Sequence, residues 1–192
     1  MTSTPVSKVD ASGKTITTYL TKVLVMGDTG VGKTSLVIRS VEGRFPDPET
    51  LKSTIGASFA VKKVQRDNKI YSLQLWDFAG QERFRAFMKS LFRGATAGIF
   101  VFDLTDPVTL DDLASFWIPS VEETLDTKFS PENPLSKNFI LVGNKSDLVE
   151  DRAISIEEAS AFAEKYGFQY IEVSSKTGEN VDSIFEILTS NL

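Results

Sequence analysis

Eight consecutive residues, Gly27-Asp28-Thr29-Gly30-Val31-Gly32-Lys33-Thr34, carry the clearest chemistry in the sequence. Glycines let a backbone curl until several N–H groups point at one anion, and a helix beginning near Ser35 adds partial positive charge at the same point. Lys33 is placed to reach the β- and γ-phosphates of a bound polyphosphate, and the Thr34 hydroxyl to bind Mg²⁺. The plainer explanation is a glycine-rich turn before a helix. The complete phosphate-loop spelling, lying between a strand and a helix, argues against it. By itself the pattern specifies a nucleoside triphosphate and leaves the base open.

The base is addressed further along, where Asn144-Lys145-Ser146-Asp147 follows the apolar run from Ile140. A carboxylate accepts two hydrogen bonds from the amine edge of guanine, whereas adenine presents a different donor and acceptor pattern there. Buried polar groups left unpaired by the wrong purine make such a site discriminate strongly. Alone, these four residues read as well as a polar loop after a strand. Joined to the phosphate loop, they point to GTP and GDP.

The elements that must position these residues alternate in type. Tyr19 to Met26 is a short apolar run ending in glycine-rich sequence, which predicts a buried strand. Ala57 to Val64 and Lys69 to Asp77 alternate, and Asp67-Asn68 between them is turn chemistry, so a hairpin is expected. Ala97 to Asp103, Asn138 to Asn144 and Phe168 to Val173 complete the strand candidates. Helical periodicity joins Leu110, Leu113, Ala114 and Trp117, and again Val181, Ile184, Phe185 and Leu188. Ser155-Ile156-Glu157-Glu158 spells a capping box before Ala159 and Ala163. The fold class is therefore α/β: a mostly parallel six-stranded sheet with one antiparallel edge strand and helices on both faces. Ligands sit at the carboxyl ends of strands in such sheets, and both motifs fall just after strand candidates.

Composition narrows the function classes. The 192 residues fit one domain, and a net charge of −5 without a long basic run argues against nonspecific binding to nucleic acid. With no cysteine there is no disulfide framework, which suits a reducing compartment. Residues 1–18 are rich in Ser and Thr and are expected to form a flexible arm, with the domain over residues 19–192. No stretch reads as a signal peptide or a membrane span, and Met1-Thr2 lacks the glycine that myristoylation needs.

With the two motifs, Ser53-Thr54-Ile55-Gly56, Asp77-Phe78-Ala79-Gly80-Gln81-Glu82-Arg83-Phe84, Phe92-Arg93-Gly94-Ala95 and Ser174-Ser175-Lys176 complete a specific set. From Tyr19 to Leu192 the chain resembles the Ras-like small GTPases, most closely the Rab branch. The resemblance implies a P-loop G domain that binds GTP or GDP with Mg²⁺ and hydrolyses GTP. The amides of Asp28, Thr29, Gly30, Val31 and Gly32, with Lys33, Thr34 and Ser35, would cradle the phosphates. Thr34, Thr54 and Asp77 would hold the metal, Asp77 through water. Gly80 would give an N–H to the γ-phosphate, and Gln81, with Lys33, would be catalytic, orienting the attacking water. Phe45 would stack on guanine, Lys145 lie over the base and ribose, and Asn144 brace the phosphate loop. Asp147 would read the base, while Ser174, Ser175 and Lys176 close its pocket, Ser175 through its N–H.

The resemblance also implies a switch, with effector, exchange-factor and GTPase-activating partners meeting residues 44–60 and 77–93 of a monomer. G-protein α subunits carry a catalytic Arg three residues before the switch threonine; here Leu51 stands there. Unaided hydrolysis is therefore expected to be slow, on the order of 10⁻⁴ to 10⁻³ per second, and accelerated by a partner. The alternative is a nucleotide-locked scaffold that does not hydrolyse, which the intact Thr34, Thr54, Asp77 and Gln81 disfavour.

Several positions depart from the pattern. Thr29 stands where Ras has Gly and Rabs usually Ser; it either crowds Gln81 or is harmless, and the tolerated Rab hydroxyl favours the latter. Phe78 replaces the usual Thr and either packs inside or offers a partner an apolar contact. The segment between Lys33 and Thr54 is two residues longer than usual and contains Pro46 and Pro48. Phe59, Trp76 and Leu91 fall where Rabs carry a partner-binding cluster, and equally where sheet and helix would pack. Residues 127–137 form an inserted loop, tolerated or devoted to binding. No terminal Cys motif for prenylation follows the last helix, so membrane attachment is not encoded. The expected location is cytoplasmic, or the cytosolic face of a membrane if a lipidated tail has been removed.

Overall fold

The computed structural model describes residues 5–9, 14–47, 54–81 and 85–192. Its strands are β1 (Val6–Val9), β2 (Thr15–Met26), β3 (Ala57–Arg66), β4 (Lys69–Phe78), β5 (Ala97–Asp103), β6 (Phe139–Asn144) and β7 (Gln169–Glu172). They form one sheet in the order β3-β4-β2-β5-β6-β7, with β1 paired to β2. β4, β2, β5, β6 and β7 run parallel; β3 pairs antiparallel with β4 as the turn residues predict. Asp67 makes that turn at φ 53°, a left-handed position that Asp tolerates better than most side chains.

The buried stretches of the central strands, residues 23–26 of β2, 97–102 of β5 and 139–142 of β6, are apolar because both sheet faces are covered there. Along β2, Leu24 and Met26 enter one core while Val23 and Val25 enter the other. β5 divides in the same way, with Phe100 and Phe102 on one side and Ile99 and Val101 on the other. This is the alternation that a strand imposes on successive side chains. Helices α1 (Lys33–Glu42) and α6 (Val181–Asn191) cover the valine face through Leu36, Val37, Ile184, Phe185 and Leu188. Helices α2 (Arg85–Phe92), α3 (Pro107–Asp112), α4 (Ile118–Leu125) and α5 (Ile156–Tyr166) cover the aromatic face. Ser155 caps α5 at the predicted start: its hydroxyl accepts from the Glu158 N–H at 3.1 Å.

Three features differ from the sequence reading. Among the described residues the sheet has seven strands, because Val6–Val9 and residues 15–18, within the stretch expected as an arm, supply β1 and the start of β2. Val6 lies opposite Thr18 and Val9 opposite Thr15. The β-branched threonines that suggest an arm by composition also suit an exposed strand. Next, α3 and α4 are joined by a π-helical turn, Leu113–Trp117, in which the Ile118 N–H donates to the Leu113 carbonyl. Pro119 explains it: proline lacks an N–H and its ring crowds the carbonyl four residues back, so the helix widens. Finally, the inserted loop packs. Phe129 is buried, its ring centre 4.6 Å from that of Phe139 and 5.0 Å from that of Phe168. Glu122, buried on α4, accepts from the Phe129 N–H at 2.8 Å and pairs with Lys128 at 2.7 Å.

Candidate nucleotide-binding site

β2 ends at Met26, and Gly27 to Gly32 lead directly into α1, which starts at Lys33, two residues before the expected position. Gly32 has φ 93°, and a Cβ there would stand 2.3 Å from Asn144 Nδ2, so both backbone shape and a close neighbour require glycine. Lys33 Nζ donates to the Asp28 carbonyl at 2.6 Å. Burial pushes the Lys33 ammonium down to about 8, while the Asp77, Asp28 and Asp112 carboxylates act in the opposite direction.

Asp77, near the end of β4, is 1% exposed. Its Oδ2 accepts from the Thr34 hydroxyl at 2.6 Å and from the Ser58 hydroxyl at 3.3 Å. Thr34 has spent its single proton, so Thr54, whose Oγ1 lies 2.7 Å away, is the donor to Thr34. Asp77 Oδ1 is buried with no hydrogen-bond partner among the described residues. Burial raises the carboxyl above its ordinary range, opposed by the Thr34 hydrogen bond and the charge of Lys33. An unpartnered carboxylate oxygen beside two hydroxyls is a set of hard oxygen donors that fits Mg²⁺. Among the described residues no group of three or more acidic, His or Cys side chains could hold a metal alone. A cation here would share its coordination with phosphate oxygens, as Mg²⁺ usually does.

After β4 the chain lies against the phosphate loop. The Ala79 N–H donates to the Gly56 carbonyl at 2.9 Å, and a Cβ on Gly80 would stand 2.1 Å from the Thr29 nitrogen. Only glycine permits that approach.

The other end of the site is built from the ends of β5 and β6 and the turn after β7. Asn144 Nδ2 donates to the Val31 carbonyl at 2.8 Å, tying β6 to the phosphate loop. Its Oδ1 accepts from the Ser175 N–H at 3.1 Å and the Ser175 hydroxyl at 3.0 Å. The Ser175 N–H, expected to face the base, is thus turned to Asn144. Asp147 Oδ1 accepts from the Ser174 hydroxyl at 2.6 Å, and Lys176 Nζ lies 3.9 Å from Asp147 Oδ2. Lys145 pairs with the buried Asp103 carboxylate, whose other oxygen accepts from the Thr105 N–H at 2.9 Å and hydroxyl at 2.8 Å.

These groups surround one cavity of about 480 Å³. Of the residues singled out in the sequence, Thr29, Gly30, Gly32, Lys33, Thr34, Ser35, Phe45, Thr54, Gly80, Gln81, Asn144, Lys145, Asp147, Ser175 and Lys176 line it. Asp28, Val31, Asp77 and Ser174 meet it through the hydrogen bonds described above. Leu51 and Glu82 to Phe84 lie outside the described residues. Phe78, Ala79 and Leu148 line the cavity without having been given a role there. Asp103 was also missed, although it ends a predicted strand at the sheet edge where ligands bind. Phe78 packs inside: it is fully buried, its ring edge-on to Phe92 at 5.1 Å. Trp76 and Leu91 lean on the core, whereas Phe59, edge-on to Trp76, remains 55% exposed.

Comparison with known proteins agrees with this arrangement. A family profile described as "Ras family" matches residues 22–192. The chain is 38% identical over 174 residues to "Ras-related protein Rab-1" of Theileria parva, covering 91% of this chain and 74% of that protein. It is 39% identical to "Ras-related protein RABD2a" of Arabidopsis thaliana, covering 91% and 80%. It is 37% identical to "GTP-binding protein YPTM2" of Zea mays, again covering 91% and 80%. A family match over most of the length, with Rab relatives spanning nine tenths of it, places the chain in the Ras family of small GTPases, within the Rab branch, as a GTP-hydrolysing enzyme.

Proposed function

We propose that the chain is a slow GTPase timer in membrane traffic, alternating between GTP-bound and GDP-bound forms. The observation that carries this reading is one cavity with Lys33 and Thr34 at one end and Asp147 at the other. Asp147 accepts from the guanine amine edge, its carboxylate steadied by Ser174. Phe45 stacks on the base, and Lys145, anchored on Asp103, lies over base and ribose. Asn144 keeps the base end and the phosphate loop at a set distance.

At the phosphate end, Lys33 and the amides of Asp28 to Gly32 hold the polyphosphate, with Ser35 at the start of α1 behind them. Thr34, Thr54 and, through water, Asp77 would hold Mg²⁺, which when bound would neutralise phosphate charge. Gln81 orients the attacking water, and Gly80 donates its N–H to the γ-phosphate. Thr54 and Gly80 lie on separate segments that one phosphate would tether, so its loss releases both. Effectors, exchange factors and activating proteins would read residues 44–60 and 77–93 by that change. The exposed Phe59 lies within the first of these segments.

The test is identification of the nucleotide released by denaturing purified protein, with affinities for GTP, GDP and ATP measured in Mg²⁺. Guanine nucleotide is expected; equal uptake of ATP, or none of either, refutes the site. Single-turnover hydrolysis is expected at a rate on the order of 10⁻⁴ to 10⁻³ per second, as for Ras. Rapid turnover by the isolated protein would end the timer reading.

A further inference from the structure

Arg39 belongs to none of the motifs, yet it holds one wall of the cavity, Ser175 and Lys176, and the Gly43 segment that leads to Phe45. It sits in the last turn of α1, where a cation is favoured by the helix dipole. Its Nε donates to the Ser175 carbonyl at 3.0 Å, its Nη1 to the Gly43 carbonyl at 2.9 Å, and its Nη2 to the Lys176 carbonyl. Gly43 caps α1 in a left-handed conformation and returns its N–H to the Arg39 carbonyl at 3.0 Å.

The two segments held in this way both lead into the lining of the cavity. Two residues past Gly43 stands Phe45, which lines the cavity. Ser175 gives its N–H and hydroxyl to Asn144, and Lys176 approaches Asp147. One planar guanidinium therefore ties the Gly43 segment, which leads to Phe45, to the Ser175–Lys176 wall, whose residues lie 136 and 137 positions from Arg39 in sequence. A guanidinium presents its donors in a rigid fork, whereas a lysine ammonium is a single point on a flexible stem. Hydrogen bonds from an ionised donor are also among the stronger ones.

We propose that Arg39 is a positioning residue for the base pocket and sets how long a guanine nucleotide stays bound. The proposal rests on the guanine-nucleotide reading of this cavity. Without the fork the two segments separate more readily, and nucleotide release speeds up. Arg39 touches neither Lys33, Thr34 nor Asp77, so the effect falls on release more than on phosphate chemistry.

The experiment measures release of labelled GDP, in Mg²⁺ and excess unlabelled GDP, from wild type, Arg39→Lys and Arg39→Met. Release from Arg39→Met is expected to be about tenfold faster or more, given what hydrogen bonds to charged groups contribute. Arg39→Lys should fall between. Single-turnover hydrolysis of pre-bound GTP should change by a smaller factor than release. Wild-type release from Arg39→Met overturns the proposal. So does an equal change in release, hydrolysis and thermal stability, which would make Arg39 a general support of the fold. Should Arg39→Met not fold, Arg39→Lys and Arg39→Gln are judged on the same terms. A wild-type protein that never retains GDP refutes the guanine reading itself, before any variant is compared.

Discussion

At the base end of the cavity, Asn144, Asp147 and Ser175 all find partners within the protein, and the segments that carry them are cross-tied by Asn144 and Arg39. The phosphate end is different. There, Asp77 keeps one buried oxygen without a partner among the described residues, and Lys33 is a buried ammonium pushed down by desolvation. On the proposed guanine reading, a self-satisfied base end suits the presentation of a fixed pattern of acceptors and a stacking wall. The phosphate end concentrates incompletely compensated charge, and such sites are where ligand charge matters most. The proposed function would thus separate recognition from switching along one cavity.

That separation can be broken experimentally, starting with the largest effect. Asp147→Ala should weaken GTP and GDP binding by about 10² to 10⁴, because two hydrogen bonds to a charged group are lost together. It should also erase the preference for GTP over ATP; titration with both nucleotides reads this out. A variant that still prefers GTP would remove Asp147 from base recognition.

At the opposite end, Gln81→Leu should lower the single-turnover hydrolysis constant by roughly 10 to 10³ while affecting nucleotide affinity far less. If affinity fell as much as the rate, the two ends would not be separable. Phe78→Ala tests the packing beneath the switch end. The side chain is fully buried against Phe92, so the loss should be about 3–5 kcal/mol in urea unfolding. A loss below 1 kcal/mol would mean that the site collapses around the missing ring.

The smallest effect concerns the strand beside the base end. Arg152 donates to both oxygens of Glu172, at 2.8 and 2.5 Å, and holds that carboxyl below its ordinary 4.5. A depressed carboxyl stabilises the fold above the unfolded value and loses that contribution as pH falls through the lower folded value. Unfolding measured between pH 5 and pH 3 should therefore show a slightly steeper loss in wild type than in Glu172→Gln. Both groups are partly exposed, so the difference is small.

Both ends were legible in the sequence to different depths. The phosphate loop is specified by contiguous residues, since its glycines and lysine act through backbone geometry that neighbours in sequence dictate. Asp147 was legible for a similar reason, as part of a short polar run at a strand end. Arg39 was not, because its partners are carbonyls, which every residue carries, and they lie on segments brought near only by the parallel sheet. Asp103 escaped although it ends a predicted strand, because its pairing with Lys145 depends on β5 and β6 lying side by side. Phe78 left two readings open, packing inside or an apolar contact for a partner, and Phe129 stood unremarked in an insertion, until packing placed both rings in the aromatic core. The first strand escaped because Val6–Val9, four exposed residues, looks the same as an arm until the Thr-rich start of β2 pairs with it.

The order of strands and helices, the phosphate-binding turn and the choice of guanine followed from local pattern, where spacing of a few residues dictates geometry. The seventh strand, the π-turn's placement of Trp117, the orientation of Ser175 toward Asn144 and the Arg39 tie were decided by tertiary structure. These depend on which distant backbone groups end up adjacent, and a one-dimensional pattern does not carry that information. Side-chain identity says what a residue can bind; folding determines which partner is within reach.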